Sequence, residues 1–322
     1  MLRDLRYSFP DEKLIRVIAV TDAYNEADDQ YALAHMLMTP KFDIKAIVAT
    51  HFGKENSEKE SYEEILTVMR KMDLIGAARV LHGSQNKIID KNEPVVTEGS
   101  RFIVEEALRD DPRPLFVAAM GAHTDIAIAL LSKPEIAERI CVISIGGCSY
   151  PKGGWEYNYL GDIRAIEVIM ASRAEVWQVP KNVYNLMTIS YFELLNEVSL
   201  CGDIGSYLVE RTFEFSKKHH ESAINSDGSW RRDEAKVKDM SLFDVATRFA
   251  GDLWCLGDSP CVGLMLNHNL GAFHEEKAPF TLNENGEYIF KEKDTRLIRV
   301  YDDIEARFII EDMKAKLKYH YM

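Results

Sequence analysis

The stretch L-I-R-V-I-A-V-T-D-A-Y-N-E-A-D-D-Q-Y-A-L-A-H-M-L-M, residues 14–38, decides the fold that the sequence predicts. Residues 14–21 are almost continuously apolar and often β-branched, a pattern typical of a strand buried on both faces. Residues 28–38 are predicted to form a helix, because acidic residues at its start suit the positive end of the helix dipole. Residues 42–50 are predicted to be a second strand. A strand, a helix and a strand in so short a span make a βαβ unit, whose two strands run parallel.

The same alternation continues along the chain. Apolar patterns predict further strands at residues 115–120, 140–145 and 176–179, and helices at residues 57–72, 124–131 and 162–170. This order predicts an α/β fold with an open, mostly parallel sheet flanked by helices.

The second half is predicted to be more helical and to end in short strands. We expect helices at residues 191–195, 204–218 and 242–256, with a polar loop at residues 221–238. Short antiparallel strands are predicted near the C-terminus, at residues 280–282, 288–290 and 297–301. No linker rich in Pro, Gly or Ser and no internal repeat is found, so residues 1–322 are predicted to form a single domain.

Composition limits the class of partner. The 322 residues carry a formal net charge of -13, and such an acidic surface disfavours nucleic acid as a partner. No apolar run is long enough to cross a bilayer, and the N-terminus lacks the apolar core of a signal peptide. The five cysteines form no C-x-x-C pair, which favours reduced thiols. We therefore expect a cytoplasmic protein that binds a small molecule and no membrane.

The loop between the first predicted strand and helix contains four acids in eight positions: Asp22, Glu26, Asp28 and Asp29. In open parallel sheets, ligands bind beyond the carboxyl ends of the strands, where this loop lies. A helix cap or a turn would account for a single Asp. Four close carboxylates repel one another unless a cation lies among them or one stays protonated. The loop is therefore predicted to be a metal or catalytic site.

Three familiar kinds of acidic or phosphate-binding loop fit poorly. Counted from Asp22, an EF-hand needs Gly at the sixth position and Glu at the twelfth, where this chain has Ala27 and Leu33. A phosphatase of the haloacid-dehalogenase type has D-x-D, but Tyr24 stands in place of the second Asp. A dinucleotide-binding turn needs glycines, and this loop has none.

The loop resembles that of the nucleoside hydrolases, the inosine-uridine-type N-ribohydrolases, whose first strand ends in D-x-D-P-G-x-D-D. Asp22 matches the first Asp of that motif, and Asp28 and Asp29 match the final pair. F-D-I-K-A-I-V-A-T-H-F-G at 42–53 and F-V-A-A-M-G-A-H-T-D-I-A-I-A-L-L at 116–131 are similar to the family's next segments.

The similarity continues in the same order to about residue 257. Residues 145–165 contain G-G, E-Y-N and D-I-R-A, which resemble the family's G-G, E-F-N and D-P-E-A. S-L-F-D-V-A at 241–246 is similar to a late helix start that carries the family's last Asp. The order of these motifs is more specific than any one of them.

The resemblance implies a nucleoside-hydrolase-like fold and an enzyme that cleaves the N-glycosidic bond of a ribonucleoside or related riboside with a metal-positioned water. Asp28 matches the general base, and Glu156 and Asn158 match the residues that hold the ribose hydroxyls. It further implies a Ca²⁺ site, with these ligands: Asp22, Asp29, the backbone carbonyl of Met120, and Asp244. Family members are commonly dimers or tetramers, so a homo-oligomer is a further expectation.

Other residues are candidates for contact with the substrate. The family's G-N, whose Asn contacts the ligand, appears here as Gly53-Lys54, with Asn56 nearby. Trp155 could stack on a base or a sugar.

Two departures from the family pattern keep alternatives open. Tyr24 replaces the second Asp, and a phenol is a poor calcium ligand. Phe243 stands where many members carry a His that helps the base to depart. The acid that protonates the leaving group is therefore open, with these candidates: His51, His123, His219 and His220. The alternatives are a catalytically silent sugar- or nucleoside-binding protein of the same fold, and a hydrolase of another glycoside.

Overall fold

The computed structural model describes residues 2–223, 252–293 and 296–322, with the side chains of residues 219–223 excepted. Its strands are β1 (Ile15–Thr21), β2 (Phe42–Ala49), β3 (Arg79–His82), β4 (Leu115–Ala119), β5 (Ile140–Ile145), β6 (Glu175–Val179), β7 (Thr188–Ser190), β8 (Leu253–Cys255), β9 (Phe273–Lys277), β10 (Thr281–Leu282), β11 (Tyr288–Ile289) and β12 (Leu297–Tyr301).

The helices cover the stretches between the strands. They are α1 (Asp29–Leu37), α2 (Ser57–Lys71), α3 (Glu98–Ala107), α4 (Thr124–Ser132), α5 (Tyr157–Gly161), α6 (Ile163–Ala171), α7 (Lys181–Tyr184), α8 (Tyr191–Glu193), α9 (Gly202–Ala223), α10 (Pro260–Leu266) and α11 (Ala306–Tyr321). Short 3-10 turns cover Asp11–Lys13, Pro134–Arg139 and His268–Leu270, and a π-helical turn covers Leu194–Val198. In the described part of the chain, no helix is both long and apolar enough to span a bilayer.

The predicted open, mostly parallel sheet is confirmed. Eight strands pair in the order β3-β2-β1-β4-β5-β6-β12-β9. β1 lies near the centre and pairs in parallel with β2 and β4, and β12 adds in parallel to β6. The edge strand β9 is antiparallel to β12, and β10 with β11 forms a small antiparallel hairpin, which confirms the short antiparallel strands predicted near the C-terminus.

The continuous apolar run of β1 follows from its central place in the sheet. All seven residues of β1 are buried. Val17 and Ala19 pack into a cluster on one face of the sheet, while Ile18 and Val20 pack into a second cluster on the other face. Successive side chains of a strand point to opposite faces, so a strand covered on both sides needs apolar residues at consecutive positions.

Arg16 is the charged exception within β1. Its guanidinium donates to the carbonyl oxygens of Glu106, Asp111 and Arg113 and pairs with the Glu106 carboxylate at 3.1 Å. Both side chains of this pair are almost completely buried. The pair therefore ties the start of β1 to the end of α3.

The helix predicted at residues 242–256 is wrong at its end. Residues 253–255 form β8, which pairs antiparallel with β7. Leu256 extends the pairing, because its amide donates to the Met187 carbonyl at 2.7 Å. No local pattern indicates this strand, because it depends on a partner more than sixty residues earlier in the chain.

Candidate active site and metal centre

The acidic loop lies at the carboxyl edge of the parallel sheet. β1 ends at Thr21, and the neighbouring strand ends are joined to it by backbone bonds from Thr50 to Thr21 at 2.9 Å and from Met120 to Val20 at 2.8 Å. The side chains that follow three adjacent strands therefore meet at one edge.

Three carboxylates come together at this edge. Oxygen atoms of Asp28, Asp29 and Asp258 all lie within 4.8 Å of one another. Asp28 caps α1 and is half-buried, with its side chain accepting from the Asp29 amide. Asp29 is 2% exposed and accepts a hydrogen bond from the Thr21 hydroxyl, and Asp258, which precedes α10, is 4% exposed.

The electrostatics of the cluster favour a cation. Burial raises the pKa of Asp28 and of Asp258 well above its ordinary value, and the Asp29 carboxylate raises both further. Burial also raises the pKa of Asp29 to about 7, against the opposing hydrogen bond from Thr21. The Asp29 carboxylate thus raises the cost of ionising Asp28 and Asp258, and a bound cation or proton would relieve that repulsion. A donor set made only of carboxylate oxygens fits a hard cation such as Ca²⁺.

Two further predicted ligands border the cluster. Asp22 is buried, and its pKa is raised well above normal by burial and then by Asp29 and Asp28. It lies against Gly121, where an added Cβ would be 2.8 Å from Asp22 Oδ1. Met120 follows β4, and its carbonyl oxygen accepts from Asn158 Nδ2 at 3.2 Å. A carbonyl oxygen has two lone pairs, so this bond leaves one for another ligand.

Glu156 begins the second half of the site. It caps α5 and is 1% exposed. Its Oε2 accepts from the amides of Gly147 at 2.8 Å and Tyr159 at 3.0 Å, and its Oε1 accepts from the Asn158 amide at 3.1 Å. Burial raises the pKa of Glu156, although these amide bonds oppose the shift.

Tyr184, which the sequence did not indicate, links the two halves. Its hydroxyl donates to Glu156 Oε1 at 3.2 Å. A Cβ added at Gly257 would lie 3.2 Å from Tyr184 Cδ2 and 3.1 Å from Asp28 Oδ2. The Tyr184 ring and the Asp28 carboxylate therefore both lie beside Gly257, while the Tyr184 phenol contacts Glu156.

The remaining predicted contact residues lie at more open positions. Trp155 is half-buried, and Lys181 Nζ lies 5.0 Å from its ring centre and donates to its carbonyl oxygen at 3.2 Å. Lys54 is exposed, with its Nζ 5.3 Å from the Phe52 ring centre. Asn56 is also exposed, and its positive φ of 61° begins α2.

Tyr24, the departure in the loop, packs against two helices. The guanidinium of Arg211 in α9 lies 4.4 Å from the centre of its ring. The ring also lines a cavity of about 330 Å³ together with Lys59, Glu60 and Glu63 of α2. Packing therefore accounts for the Tyr24 side chain without reference to any ligand of the acidic loop.

Asp258 is the site residue that sequence reasoning missed. Asp244, the predicted last metal ligand, lies outside the described residues, as does Phe243. The signal that could have found Asp258 is G-D-S-P at 257–260, a short polar turn with Pro at a helix start, directly after an apolar stretch.

The two buried histidines among the candidate acids are held neutral. Burial lowers the pKa of His51 and of His123 to about 4. His123 is fixed by bonds to Ser144 Oγ at 2.7 Å and to the Gly121 carbonyl at 3.0 Å. The side chains of His219 and His220 lie outside the described part.

Comparison with known proteins decides the family. The model of the inosine-uridine preferring nucleoside hydrolases matches residues 17–277. The chain belongs to this family. It is a distant member, 22% identical over 250 residues to the pyrimidine-specific ribonucleoside hydrolase RihA of Salmonella arizonae, a match that covers 70% of this chain and 80% of RihA.

Solved structures share the fold at low identity. A plant nucleoside hydrolase, the PpNRh1 enzyme, superposes with a TM-score of 0.73 and 15% identity over 94% of this chain and 98% of its own. The type III effector protein XopQ, solved in complex with adenosine diphosphate ribose, superposes with a TM-score of 0.68 and 13% identity over 96% of this chain and 95% of its own.

Proposed function

We propose that this nucleoside hydrolase family member cleaves the N-glycosidic bond of a ribonucleoside or related riboside. The observation that carries the proposal is the cluster of Asp28, Asp29 and Asp258, with Gly257 between Asp28 and Tyr184, whose phenol bonds to Glu156. Hydrolysis at the anomeric carbon needs a positioned water, a base for its proton and groups that grip the sugar hydroxyls. The two halves of the site offer these functions side by side.

The residues proposed to hold a Ca²⁺ ion are Asp22, Asp29, Asp258 and the Met120 carbonyl. When bound, the ion would supply a Lewis acid that lowers the pKa of water and binds sugar hydroxyls. Asp244 stays a predicted ligand. Asp258 already provides a third carboxylate among the described residues, and its fit to Asp28 and Asp29 supports its inclusion.

Asp28 is proposed as the general base. Within the cluster it is the half-buried member, so water can reach it, whereas Asp29 and Asp258 are buried. Its backbone is fixed as the cap of α1, and the carbonyl oxygen accepts from the amides of Tyr31 and Ala32. Burial, and after it the carboxylates of Asp29 and Glu26, raise its pKa, and a carboxylate with a raised pKa is a stronger base.

Glu156 and Asn158 are proposed to orient the sugar. The Nδ2 group of Asn158 donates to the carbonyls of Met120 and Ile145, at 3.2 Å and 3.1 Å, which aims Oδ1 the other way. That oxygen is available to a sugar hydroxyl. Trp155, Lys54 and Asn56 stay proposed contacts at the half-buried or exposed margin of the site.

A second candidate is a silent sugar- or nucleoside-binding protein of the same fold. Two observations favour it: the Tyr24 side chain adds no carboxylate to the cluster, and Gly257, which precedes Asp258, cannot donate a proton from a side chain. The effector XopQ, described as complexed with adenosine diphosphate ribose, shows a ligand with a ribosyl group on this fold. A hydrolase of another glycoside stays a third possibility.

Calorimetric titration with Ca²⁺, followed by an assay of released ribose over a panel of ribonucleosides, tests the proposal. We expect Asp28→Asn to lower kcat by about 10² to 10⁴-fold while the protein stays folded, because it removes the base. Glu105→Gln, which changes an exposed acid on α3, is the control and should retain activity. Nucleoside binding without turnover in the wild type would support the silent protein, and an Asp28→Asn variant with full activity would refute the proposed base.

A further inference from the structure

The C-terminal hairpin of β10 and β11 rests on the loop that carries Glu156. The Gly154 amide donates to the Gly286 carbonyl at 3.0 Å, and the Tyr288 amide donates to the Lys152 carbonyl at 3.0 Å. Gly153 forms an antiparallel bridge with Glu287. The hairpin lies beyond residues 17–277, the part of the chain that matches the family. It contacts the loop on the side of the site that is proposed to hold the sugar.

The phenol of Tyr288 binds the backbone of this loop on both sides of Cys148. Tyr288 is 8% exposed. Its hydroxyl donates to the Cys148 carbonyl at 2.9 Å and accepts from the Cys148 amide at 2.9 Å and from Gln178 Nε2 at 2.9 Å. A hydroxyl has one donor and two acceptor sites, so every hydrogen-bonding site of this phenol is used on the loop or its support.

The residue that precedes Cys148 in the loop binds the Glu156 carboxylate. Gly147 donates from its amide to Glu156 Oε2 at 2.8 Å, the shortest of the bonds to that side chain. Its φ is 73°, and an added Cβ would lie 2.3 Å from the Tyr288 hydroxyl and 2.5 Å from Gln178 Nε2. The Tyr288 hydroxyl thus contacts the turn at Gly147, and this turn binds the Glu156 carboxylate. No side chain at position 147 would fit against the hydroxyl.

We propose that Tyr288 is a positioning residue for Glu156. Its hydroxyl fixes the Gly147–Cys148 turn, and the turn fixes the direction of the carboxylate through the Gly147 amide. Tyr288 itself touches no group that is proposed to contact the sugar. The consequence for sugar binding rests on the proposed function, whereas the consequence for the loop does not.

The substitution Tyr288→Phe removes the hydroxyl and keeps the ring, so it distinguishes the contribution of one from that of the other. The ring packs 4.7 Å from Tyr150 and 6.2 Å from Phe290, and the variant keeps both contacts. The matched control is Tyr321→Phe, which also removes one phenol bond to a backbone carbonyl, that of Met72 at 2.9 Å. Tyr321 packs against the core cluster on the other face of the sheet.

Hydrogen exchange of the full chain tests the positioning alone. The amides of Gly147, Asn158 and Tyr159 bind the Glu156 carboxylate, so peptides over residues 146–159 report on it. Tyr288→Phe removes three hydrogen bonds of the phenol, two of them to the Cys148 backbone. We expect exchange in this segment to speed up by at least about tenfold in this variant, because the net loss is at least that of one hydrogen bond, and to stay unchanged in Tyr321→Phe. Unchanged exchange in Tyr288→Phe overturns the proposal.

Steady-state kinetics or nucleoside titration of the same variants tests the effect on the sugar. For Tyr288→Phe we expect KM, or the Kd in a silent protein, to rise by about tenfold with kcat and Ca²⁺ affinity within twofold. An unchanged KM, or an equal loss in both variants, refutes the positioning role. If the wild type neither binds nor cleaves any nucleoside, the proposed function fails and the exchange experiment alone decides the role of Tyr288.

Discussion

Replacement of Asp258 by Asn should make the calcium-free protein more stable and remove most of its response to calcium. Asp258 lies in a cluster with Asp28 and Asp29, and burial followed by these two carboxylates raises its pKa well above the ordinary value. The amide of an Asn at this position keeps the size of the side chain, removes its charge, and can donate a hydrogen bond to Asp29. The substitution therefore removes repulsion without opening a cavity.

The size of the effect follows from the geometry. Two full charges at 4.8 Å, the upper limit within this cluster, repel by about 3 kcal/mol at an effective dielectric constant of about 20. Partial protonation reduces this repulsion at neutral pH, because the pKa of Asp29 is raised to about 7. We expect the free energy of unfolding of Asp258→Asn to exceed that of the wild type by about 2–3 kcal/mol at pH 8. The raised pKa values mean that the folded wild type takes up protons as pH falls, so the advantage should shrink towards pH 6.

Urea and thermal unfolding in chelator and in excess Ca²⁺ measure both effects. At a hundredfold excess over Kd, calcium should stabilise the wild type by about 2.7 kcal/mol and the variant by much less. The control is Glu105→Gln, which neutralises an exposed acid and should leave both quantities unchanged. The reasoning is refuted if the calcium-free variant is less stable than the wild type, or if calcium stabilises the two proteins equally.

The remaining predictions concern buried charged or titratable groups. Arg16→Met should lower the free energy of unfolding in urea by about 3 kcal/mol, because it leaves the Glu106 carboxylate buried without its main partner; a loss below about 1 kcal/mol would contradict this. His123 has its pKa lowered to about 4 by burial, so the unfolded chain takes up the proton first and wild-type stability should fall from pH 6.5 to pH 4. His123→Gln should flatten that fall by up to about 1.4 kcal/mol per pH unit in denaturation curves, and an unchanged slope would contradict the assignment.

The central βαβ unit could be predicted because its signals are local. β1 is buried on both faces and is apolar apart from Arg16 and Thr21, and the acid that caps α1 directly precedes it. Elements that are only partly buried were not predicted. β3 has a single buried residue, Leu81, and lies at the sheet edge, so its pattern lacks the alternation and the apolar run that identify strands.

The site was predictable where one loop supplies it and not where distant segments complete it. Asp28 and Asp29 lie in a dense acidic loop, which is a local signal. Asp258 joins them across more than two hundred residues, and its place is set by the pairing of β8 with β7 and by the start of α10. The packing of Tyr24 beneath Arg211 is likewise a contact between distant segments, which no spacing rule within the loop could reveal.

The contacts of the acidic loop distinguish a ligand site from a simple helix cap. Gln30 Nε2 donates to the Ala23 carbonyl at 2.6 Å, and Trp254 Nε1 donates to the Ala27 carbonyl at 3.1 Å, so both ends of the loop backbone are fixed by neutral groups. These bonds fix the backbone but neutralise no carboxylate. A cap for α1 needs only Asp28. Burial of the Asp29 and Asp258 carboxylates beside it is unfavourable, because it raises the pKa of both. A rigid backbone that holds buried like charges together is an arrangement that a bound cation makes favourable, and this is why removing one charge is expected to stabilise the calcium-free protein.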